Sequence, residues 1–151
     1  GPEDRAHAVD AQGRVDPGTS QLLGLQELTG GRLDRALALL AEAVAAVPDN
    51  ALGWRQLGVA LAQAREYEAA QAAVEKGLAL DPTSMEGWYN LGVVVWKRGD
   101  PAAALAHLEH AWKLDPGNER VQFMLQSVAS SQRRTGAQGA SEQRAPGDGA
   151  Q

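Results

Sequence analysis

A chain of 151 residues that is 44% hydrophobic and 22% charged has the composition of a folded globular protein, and its length suits one ordinary domain. Its net charge of −5 argues against a general affinity for nucleic acid or anionic membranes, since both require a basic surface. Because the chain contains no cysteine, disulfides, thiolate catalysis and cysteine-based zinc sites are excluded.

The N-terminal segment, residues 1–16, is polar, charged or small and has no helical period, so we predict that it is flexible. It lacks the apolar core of a signal peptide, and no apolar run in the chain approaches the roughly 18 residues of a membrane span. Gly1 and Pro2 look like the remnant of a cleaved tag, so the sequence is compatible with a leader or anchor upstream. The compartment stays open: the cytoplasm is slightly favoured, and the periplasm is the alternative if such a leader or anchor was removed.

Two helices are predicted before residue 50. Capping and turn residues at 16–20 precede the first, which runs to about residue 28 and ends at a pair of glycines. The second, over about 33–47, has leucine and valine at helical spacing until Pro48 stops it.

The stretch over residues 51–84 has the clearest pattern. Trp54 is followed by a Leu-Gly pair at Gly58, and an Asp-Pro pair closes the stretch. The same order returns 34 residues later around Trp88 and Gly92, a period typical of helical-pair repeats. Both tryptophans are expected in the core. The predicted helices of these two copies run over about 51–64, 67–80, 85–98 and 101–114.

Glycine inside an apolar helical run costs roughly 1 kcal/mol relative to alanine. Gly58 and Gly92 are therefore expected where two helix backbones approach closely, with Ala70 and Ala104 facing them.

A further helix follows the repeats. Asn118 is a suitable N-cap, and apolar residues from Val121 to Val128 recur at i, i+3, i+4 and i+7. This pattern predicts a capping helix over 119–131, because the last unit of a stacked array otherwise exposes the face meant for a successor. Glycine, alanine, glutamine, serine and proline dominate residues 132–151, which predicts a disordered tail.

This arrangement resembles the tetratricopeptide repeat (TPR) family. The W-x-x-L-G pattern, a later alanine and the closing D-P are complete in two copies and partial in the first, where Ser20 replaces the aromatic residue and Glu27 replaces an apolar one. The resemblance implies an all-α fold, an α-solenoid of three helix-turn-helix pairs with a seventh, capping helix. The predicted TPR domain spans 17–131, with repeats at 17–50, 51–84 and 85–118.

The resemblance also implies that the first helix of each pair lines a concave groove, where residues one repeat apart form rows. One row, of Leu25, Val59 and Val93, is apolar. Apolar rows on a concave surface suit an extended peptide or an amphipathic helix of a partner. The predicted partner-binding groove comprises Gln21, Leu22, Leu25, Leu28, Arg55, Gln56, Val59, Tyr89, Asn90, Val93, Trp96 and Lys97.

Within this groove, Tyr89 and Trp96 are the predicted anchors, because aromatic side chains provide much contact energy with little entropy to lose. Arg55, Asn90 and Lys97 are expected to orient a ligand backbone or an acidic side chain. The alternative for Trp96 is that it packs under the capping helix and meets no ligand.

Family members that grip chaperone C-termini resembling E-E-V-D use basic and asparagine side chains on the inner face. The matching positions here are Gln21, Leu25, Gln56, Glu86 and Asn90. Lysine and arginine are missing from these positions, so the resemblance does not extend to a heat-shock chaperone ligand.

No catalytic, cofactor or metal site is predicted. His107 and His110 lie at a spacing that can chelate a metal, but two ligands without a third make an incomplete site. None of the serines has a histidine and an acid nearby, and no glycine-rich phosphate loop is present.

The leading hypothesis is a non-enzymatic scaffold that binds a peptide or helical segment of a partner protein in the groove. One alternative is a self-assembling, homo-oligomeric repeat module, motivated by the atypical Ser20 and Glu27 of the first copy. Another is a targeting module of a larger multi-domain protein.

Overall fold

The computed structural model describes residues 15–143, and their side chains as far as residue 136. In this part of the chain the regular elements are seven helices, which form three pairs and a final single helix. None of the described helices is both long and apolar enough to cross a lipid bilayer. The helices are α1 (Pro17–Thr29), α2 (Leu33–Ala46), α3 (Ala51–Gln63), α4 (Tyr67–Leu80), α5 (Met85–Lys97), α6 (Pro101–Leu114) and α7 (Glu119–Gln143).

The packing of these helices is that of an α-solenoid. Each helix contacts the next along the chain, and the first helices of successive pairs also contact one another, α1 with α3, α3 with α5, and α5 with α7. These four helices therefore form a continuous inner layer, while α2, α4 and α6 form the outer one. The all-α solenoid predicted from the repeats is confirmed. The five helices α2 to α6 begin and end within one residue of the predicted bounds, and α1 ends one residue after the predicted residue 28.

Side-chain caps explain why the inner helices begin where they do. The carboxylate of Asp16, the amide oxygen of Asn50 and the hydroxyl of Ser84 each accept a hydrogen bond from a backbone N–H in the first turn of α1, α3 and α5. Such caps satisfy donors that the helix itself leaves free. Hydrogen bonds from the Thr19 side chain and backbone also hold the pKa of Asp16 below its usual value.

The two glycines of the repeat pattern lie at close backbone contacts, as predicted. A Cβ at Gly92 would be 2.7 Å from Cγ of Leu108, and one at Gly58 would be 2.5 Å from Cγ2 of Val74. The backbone carbonyls of Ala70 and Ala104 would each be 3.3 Å from the added carbon. Only glycine permits this approach without displacing the partner helix.

Trp54 and Trp88 are half-buried and pack against the core. Each indole Nε1 donates a hydrogen bond of 2.8 Å to the backbone carbonyl of the proline six residues earlier, Pro48 or Pro82. The tryptophan thus ties each inner helix to the turn before it.

The apolar core runs through the solenoid as two clusters. One joins α2, α3 and α4, and the other joins α4 to α7. The buried members of the first are Leu40, Val44, Leu57, Ala60 and Ala73. Those of the second are Val74, Leu78, Leu91, Val95, Ala104, Leu108, Met124 and Val128.

The capping helix is longer than predicted. Its buried face, which includes Val121 and Val128, docks on the third repeat as expected, but α7 continues to Gln143. Residues 132–143, for which the composition predicts disorder, are helical in the structure. Once its packed turns have formed, a helix elongates by one hydrogen bond per residue, and polar composition alone does not stop it. Residues 1–14 of the predicted flexible segment, and 144–151 of the predicted tail, lie outside the described residues.

Candidate functional site

A pocket of ≈ 230 Å³ opens between the inner helices of the second and third repeats. We call it the α3–α5 pocket. Two pairs of side chains one repeat apart, Val59 with Val93 and Gln63 with Lys97, lie on its α3 and α5 walls. Its lining residues are Gly58, Val59, Ala62, Gln63, Tyr67, Tyr89, Asn90, Val93, Val94 and Lys97.

The walls of this pocket are largely apolar. Val59 and Val93 are half-buried, so each keeps a surface that a ligand can cover. Gly58 and Ala62 contribute little side-chain bulk, which leaves the space that the pocket occupies. An apolar concavity with a few polar groups is the usual form of a binding site.

Asn90 supplies one of those polar groups. Its Nδ2 is buried and has no hydrogen-bond partner among the described residues. A buried donor without a partner costs roughly 1–3 kcal/mol, so free energy is gained if the Asn90 side chain turns this amide toward a ligand acceptor in the pocket. Lys97 adds a positive charge to the same pocket.

Tyr89 also lines the pocket, and α7 holds it in place. The guanidinium carbon of Arg120 lies 5.0 Å from the centroid of the Tyr89 ring, within cation–π distance. Arg120 also pairs with the carboxylate of Glu86. The pair reduces the net charge at this end of α5.

Trp96 does not line the α3–α5 pocket. It lies in a second concavity, of ≈ 340 Å³, between α5 and the capping helix, which we call the α5–α7 cleft. Trp96 also packs against the core, as the alternative interpretation of this residue expected. The cleft is lined by Trp96, Phe123, Gln126, Ser127, Ser130, Ser131 and Arg134.

The remaining second-repeat residues of the predicted groove have other surroundings. Arg55 lines a small cavity of ≈ 90 Å³ between α3, α4 and α5. Gln56 accepts a hydrogen bond of 2.6 Å from Nε2 of Gln21, whose Oε1 in turn accepts one of 3.2 Å from Asn50. The two glutamines therefore join α1 to α3.

The first repeat contributes no side chain to the α3–α5 pocket. Leu22 is 57% exposed, Leu25 is half-buried, and Leu28 packs against the core cluster of α2, α3 and α4. The structure thus brings together Val59, Tyr89, Asn90, Val93 and Lys97 of the predicted groove and leaves the other members outside this pocket.

Both concavities are positive although the protein is acidic. Each has one cation, Lys97 in the pocket and Arg134 in the cleft, and no carboxylate lines either. The net charge of the chain is −5, so carboxylates are more numerous elsewhere on the molecule.

The two histidines of α6 lie against Trp88. The ring centroid of His110 is 4.1 Å from that of Trp88, and the centroid of His107 is 5.8 Å away. Burial lowers the pKa of His107, although the charges of Glu75 and Asp100 act in the opposite direction. Among the described residues, no three histidine, aspartate or glutamate side chains gather as a metal site requires.

A tetratricopeptide repeat family model matches the chain over residues 22–84 and again over 56–119. The protein belongs to the tetratricopeptide repeat family. The two matched segments begin 34 residues apart (56 − 22), which is the period of the repeats. No curated protein matches the sequence.

Solved TPR domains share this fold. The first TPR domain of Spaghetti (RPAP3), bound to the HSP90 peptide SRMEEVD, is 17% identical, with a TM-score of 0.75 over 83% of this chain and 98% of that one. The Sgt2 TPR domain from Aspergillus fumigatus is 16% identical, with a TM-score of 0.76 over 86% and 85%. The TPR2B domain of yeast Sti1, in a complex with pHsp70, is 18% identical, with a TM-score of 0.73 over 76% and 97%.

Five residues that line the α3–α5 pocket are absent from the predicted groove: Gly58, Ala62, Gln63, Tyr67 and Val94. Gln63 follows Val59 by one helical turn and is the repeat counterpart of Lys97, so the 34-residue period was sufficient to find it. Ala62 lies on the same face. Tyr67 begins α4, and only the tertiary packing of the turn between α3 and α4 places it at the pocket.

Proposed function

We propose that this protein is a non-enzymatic interaction module that holds a segment of another protein in the α3–α5 pocket. The supporting observation is the combination, in one concavity, of apolar walls from two repeats with the unpartnered amide of Asn90. The first feature provides affinity for an apolar side chain. The second provides a donor for a backbone carbonyl of the bound segment.

Apolar contact with Val59 and Val93 contributes roughly 25 cal/mol for each Å² of apolar area removed from water. Ordering of the bound segment offsets much of this gain, so we expect dissociation constants on the order of micromolar. Lys97 favours a segment with an acidic residue beside its apolar anchor.

The partner differs in chemistry from the HSP90 peptide bound by the Spaghetti domain. The positions that correspond to a carboxylate clamp do not present cations: Gln21 and Gln56 are hydrogen-bonded to each other, and Glu86 pairs with Arg120. A ligand with two adjacent carboxylates meets one acid, three amides and a leucine at the five matching positions.

Self-assembly receives no support from the residues that suggested it. Ser20 is fully buried, and Glu27 forms an ion pair with Arg32 within its own chain. Neither is available to a second copy.

Selection of random displayed peptides on the wild-type chain tests the proposal. The double variant Val59→Glu/Val93→Glu places two carboxylates in the pocket and is expected to lose the selected peptides, because apolar contact is replaced by desolvation of charge. The matched variant Leu80→Glu adds a carboxylate to an exposed leucine of α4 and is expected to bind normally. Equal binding by the folded double variant, with folding checked by circular dichroism, refutes the proposed site.

A further inference from the structure

The α5–α7 cleft has a lining that the capping role of α7 does not require. The helix docks through Val121, Met124 and Val128, which are buried. A separate face of the same helix, which includes Phe123, Ser127 and Ser130, turns toward Trp96 and lines the cleft at helical spacing.

Phe123 is the most exposed of the large hydrophobic residues described, with 68% of its surface accessible. It is absent from the core cluster that holds α7 in place. An exposed phenylalanine and a half-buried tryptophan on the two walls of one cleft form an aromatic surface of the type that anchors partner side chains.

The charges in and beside the cleft favour an anion. Arg134 lines it, and no carboxylate does. The nearby cation Arg120 is paired with Glu86, so it adds little net charge. Lys97 lies at the boundary with the α3–α5 pocket, with its Nζ 5.4 Å from the centroid of the Trp96 ring.

The contact between Lys97 and Trp96 joins the two concavities, because Lys97 lines one and Trp96 lines the other. The two concavities are therefore neighbours along α5. Lys97 lies at their boundary, and Arg134 of α7 lines the cleft.

We propose that the α5–α7 cleft is a second subsite for an acidic peptide, which inserts an aromatic side chain between Trp96 and Phe123 and places a following carboxylate on Arg134. This inference deepens the proposed function and rests on it. Arginine suits the carboxylate because its planar guanidinium donates two parallel hydrogen bonds. The aromatic insertion gives selectivity that a single apolar pocket does not.

The test uses the full chain labelled with ¹⁵N and a blocked peptide of sequence Leu-Ala-Phe-Asp-Glu. The chain has four tryptophans, and their indole N–H signals report separate places. We expect the Trp96 signal to shift and saturate. The Trp54 and Trp88 signals should stay in place, because these indoles donate to backbone carbonyls in the turns. A blocked Leu-Ala-Phe-Asn-Gln peptide tests the role of charge.

Two exposed residues allow variants that leave the fold intact. Phe123→Ala is expected to weaken binding of the acidic peptide by about tenfold, as for an aromatic anchor. Arg134→Gln should weaken it by roughly two- to fivefold, the range for exposed ion pairs. Arg133→Gln is the matched control: it removes the same charge from the neighbouring residue, which does not line the cleft and touches it only through a hydrogen bond to the Ser130 hydroxyl.

The outcomes separate this inference from the proposed function. Shifts at Asn90 and Val93 without a shift at Trp96 overturn the second subsite and leave the α3–α5 pocket standing. A shift at Trp96 that persists unchanged in Val59→Glu/Val93→Glu retains the cleft and counts against the pocket. Equal affinity for the amide peptide, or equal effects of Arg133→Gln and Arg134→Gln, refutes the acidic specificity. No shift at Trp96 with any of the peptides overturns the inference.

Discussion

The inner helices of the first and third repeats, α1 and α5, have equivalent places in the solenoid but treat their polar groups differently. On α1, the Gln21 side chain is hydrogen-bonded to both Gln56 and Asn50. On α5, the equivalent region presents Asn90 with its amide nitrogen unpartnered and lines two concavities. One repeat geometry therefore accommodates both arrangements, and the proposed binding site uses the unpartnered amide of Asn90.

The tryptophan position shows the opposite difference. Trp88 of the third repeat donates to the carbonyl of Pro82, while the first repeat has Ser20 at this position, fully buried and without a hydrogen-bond partner for its hydroxyl in the described part of the chain. The first repeat therefore differs from the third, which carries most of the proposed binding surface, at a position that the repeat pattern otherwise fills with tryptophan.

The largest expected effects come from the buried leucines of the outer helices. Leu40 of α2 and Leu108 of α6 are both fully buried. Replacement of either by alanine should lower the free energy of unfolding by about 3 kcal/mol, within the roughly 2–5 kcal/mol typical of such cavities. Urea unfolding measures this change.

The two variants should differ in binding. Leu108→Ala is expected to abolish peptide binding, because Leu108 contacts the α5 segment around Gly92 that carries the pocket wall. Leu40→Ala should leave the affinity within about twofold, since its repeat does not line the pocket. If both variants lose binding equally, the first and third repeats do not differ in their contribution to peptide binding.

A second comparison concerns the glycines that face these leucines. A Cβ at Gly24 would be 2.8 Å from Cγ of Leu40, and one at Gly92 would be 2.7 Å from Cγ of Leu108. Each Gly→Ala variant should lose about 1–2 kcal/mol, because overpacking outweighs the gain in helix propensity. Thermal unfolding should give similar losses for the two, since the backbone approach is alike. If either variant is more stable than the wild type, the two helices of that repeat can move apart at little cost in free energy.

The difference in polar groups is tested by one pair of variants. Asn90→Leu removes an unpartnered buried donor, so it should leave stability unchanged or higher while weakening peptide binding by about tenfold. Gln56→Leu removes the acceptor of Gln21, so it should cost about 1 kcal/mol of stability and leave binding unchanged. Titration calorimetry and urea unfolding measure the two quantities. A loss of affinity in Gln56→Leu with none in Asn90→Leu contradicts the assignment of the binding surface to the third repeat.

The features of this molecule that could be predicted from the sequence are those that repeat along it. Trp54 and Trp88, with Gly58 and Gly92, mark the repeat, so the first six helices and the shared placement of Val59 and Val93 in one pocket could be predicted. Pocket residues that lie one repeat apart face the same surface, because successive repeats have the same geometry.

Features that depend on α7 could not be predicted in this way. The apolar periodicity ends at Val128, but α7 continues beyond this residue. The length of α7 and the position of Arg134 in the α5–α7 cleft were therefore not predicted. Trp96 lies on the same helix as Val93, but the docking angle of α7 decides that it lines a different concavity. Both the position of Arg134 and the surroundings of Trp96 depend on the tertiary placement of α7, which has no counterpart in the repeats.

The smallest expected effect is a pH dependence confined to the third repeat. Burial of His107 against the outer surface of α5 lowers the pKa of this side chain, and proximity to His110 acts in the same direction. Because the pKa is lower in the folded state than in the unfolded one, folding favours the neutral imidazole. The associated stability is present above the ordinary value of 6.5 and is lost as the pH falls below it. The equivalent position of the first repeat is Leu39, which does not titrate.

Thermal unfolding at pH 7.5 and pH 5.5 measures this effect, in a range where the carboxylates of Asp16 and Asp81, whose pKa values are lowered by hydrogen bonds, stay ionised. We expect a decrease in Tm toward the lower pH that is smaller than the effect of Gln56→Leu and that diminishes in His107→Gln. Hydrogen exchange should place the loosening in α6 and not in α2, because protonation places a charge beside Trp88 and leaves the first repeat unchanged. Equal loosening of both helices assigns the pH dependence to groups outside the third repeat.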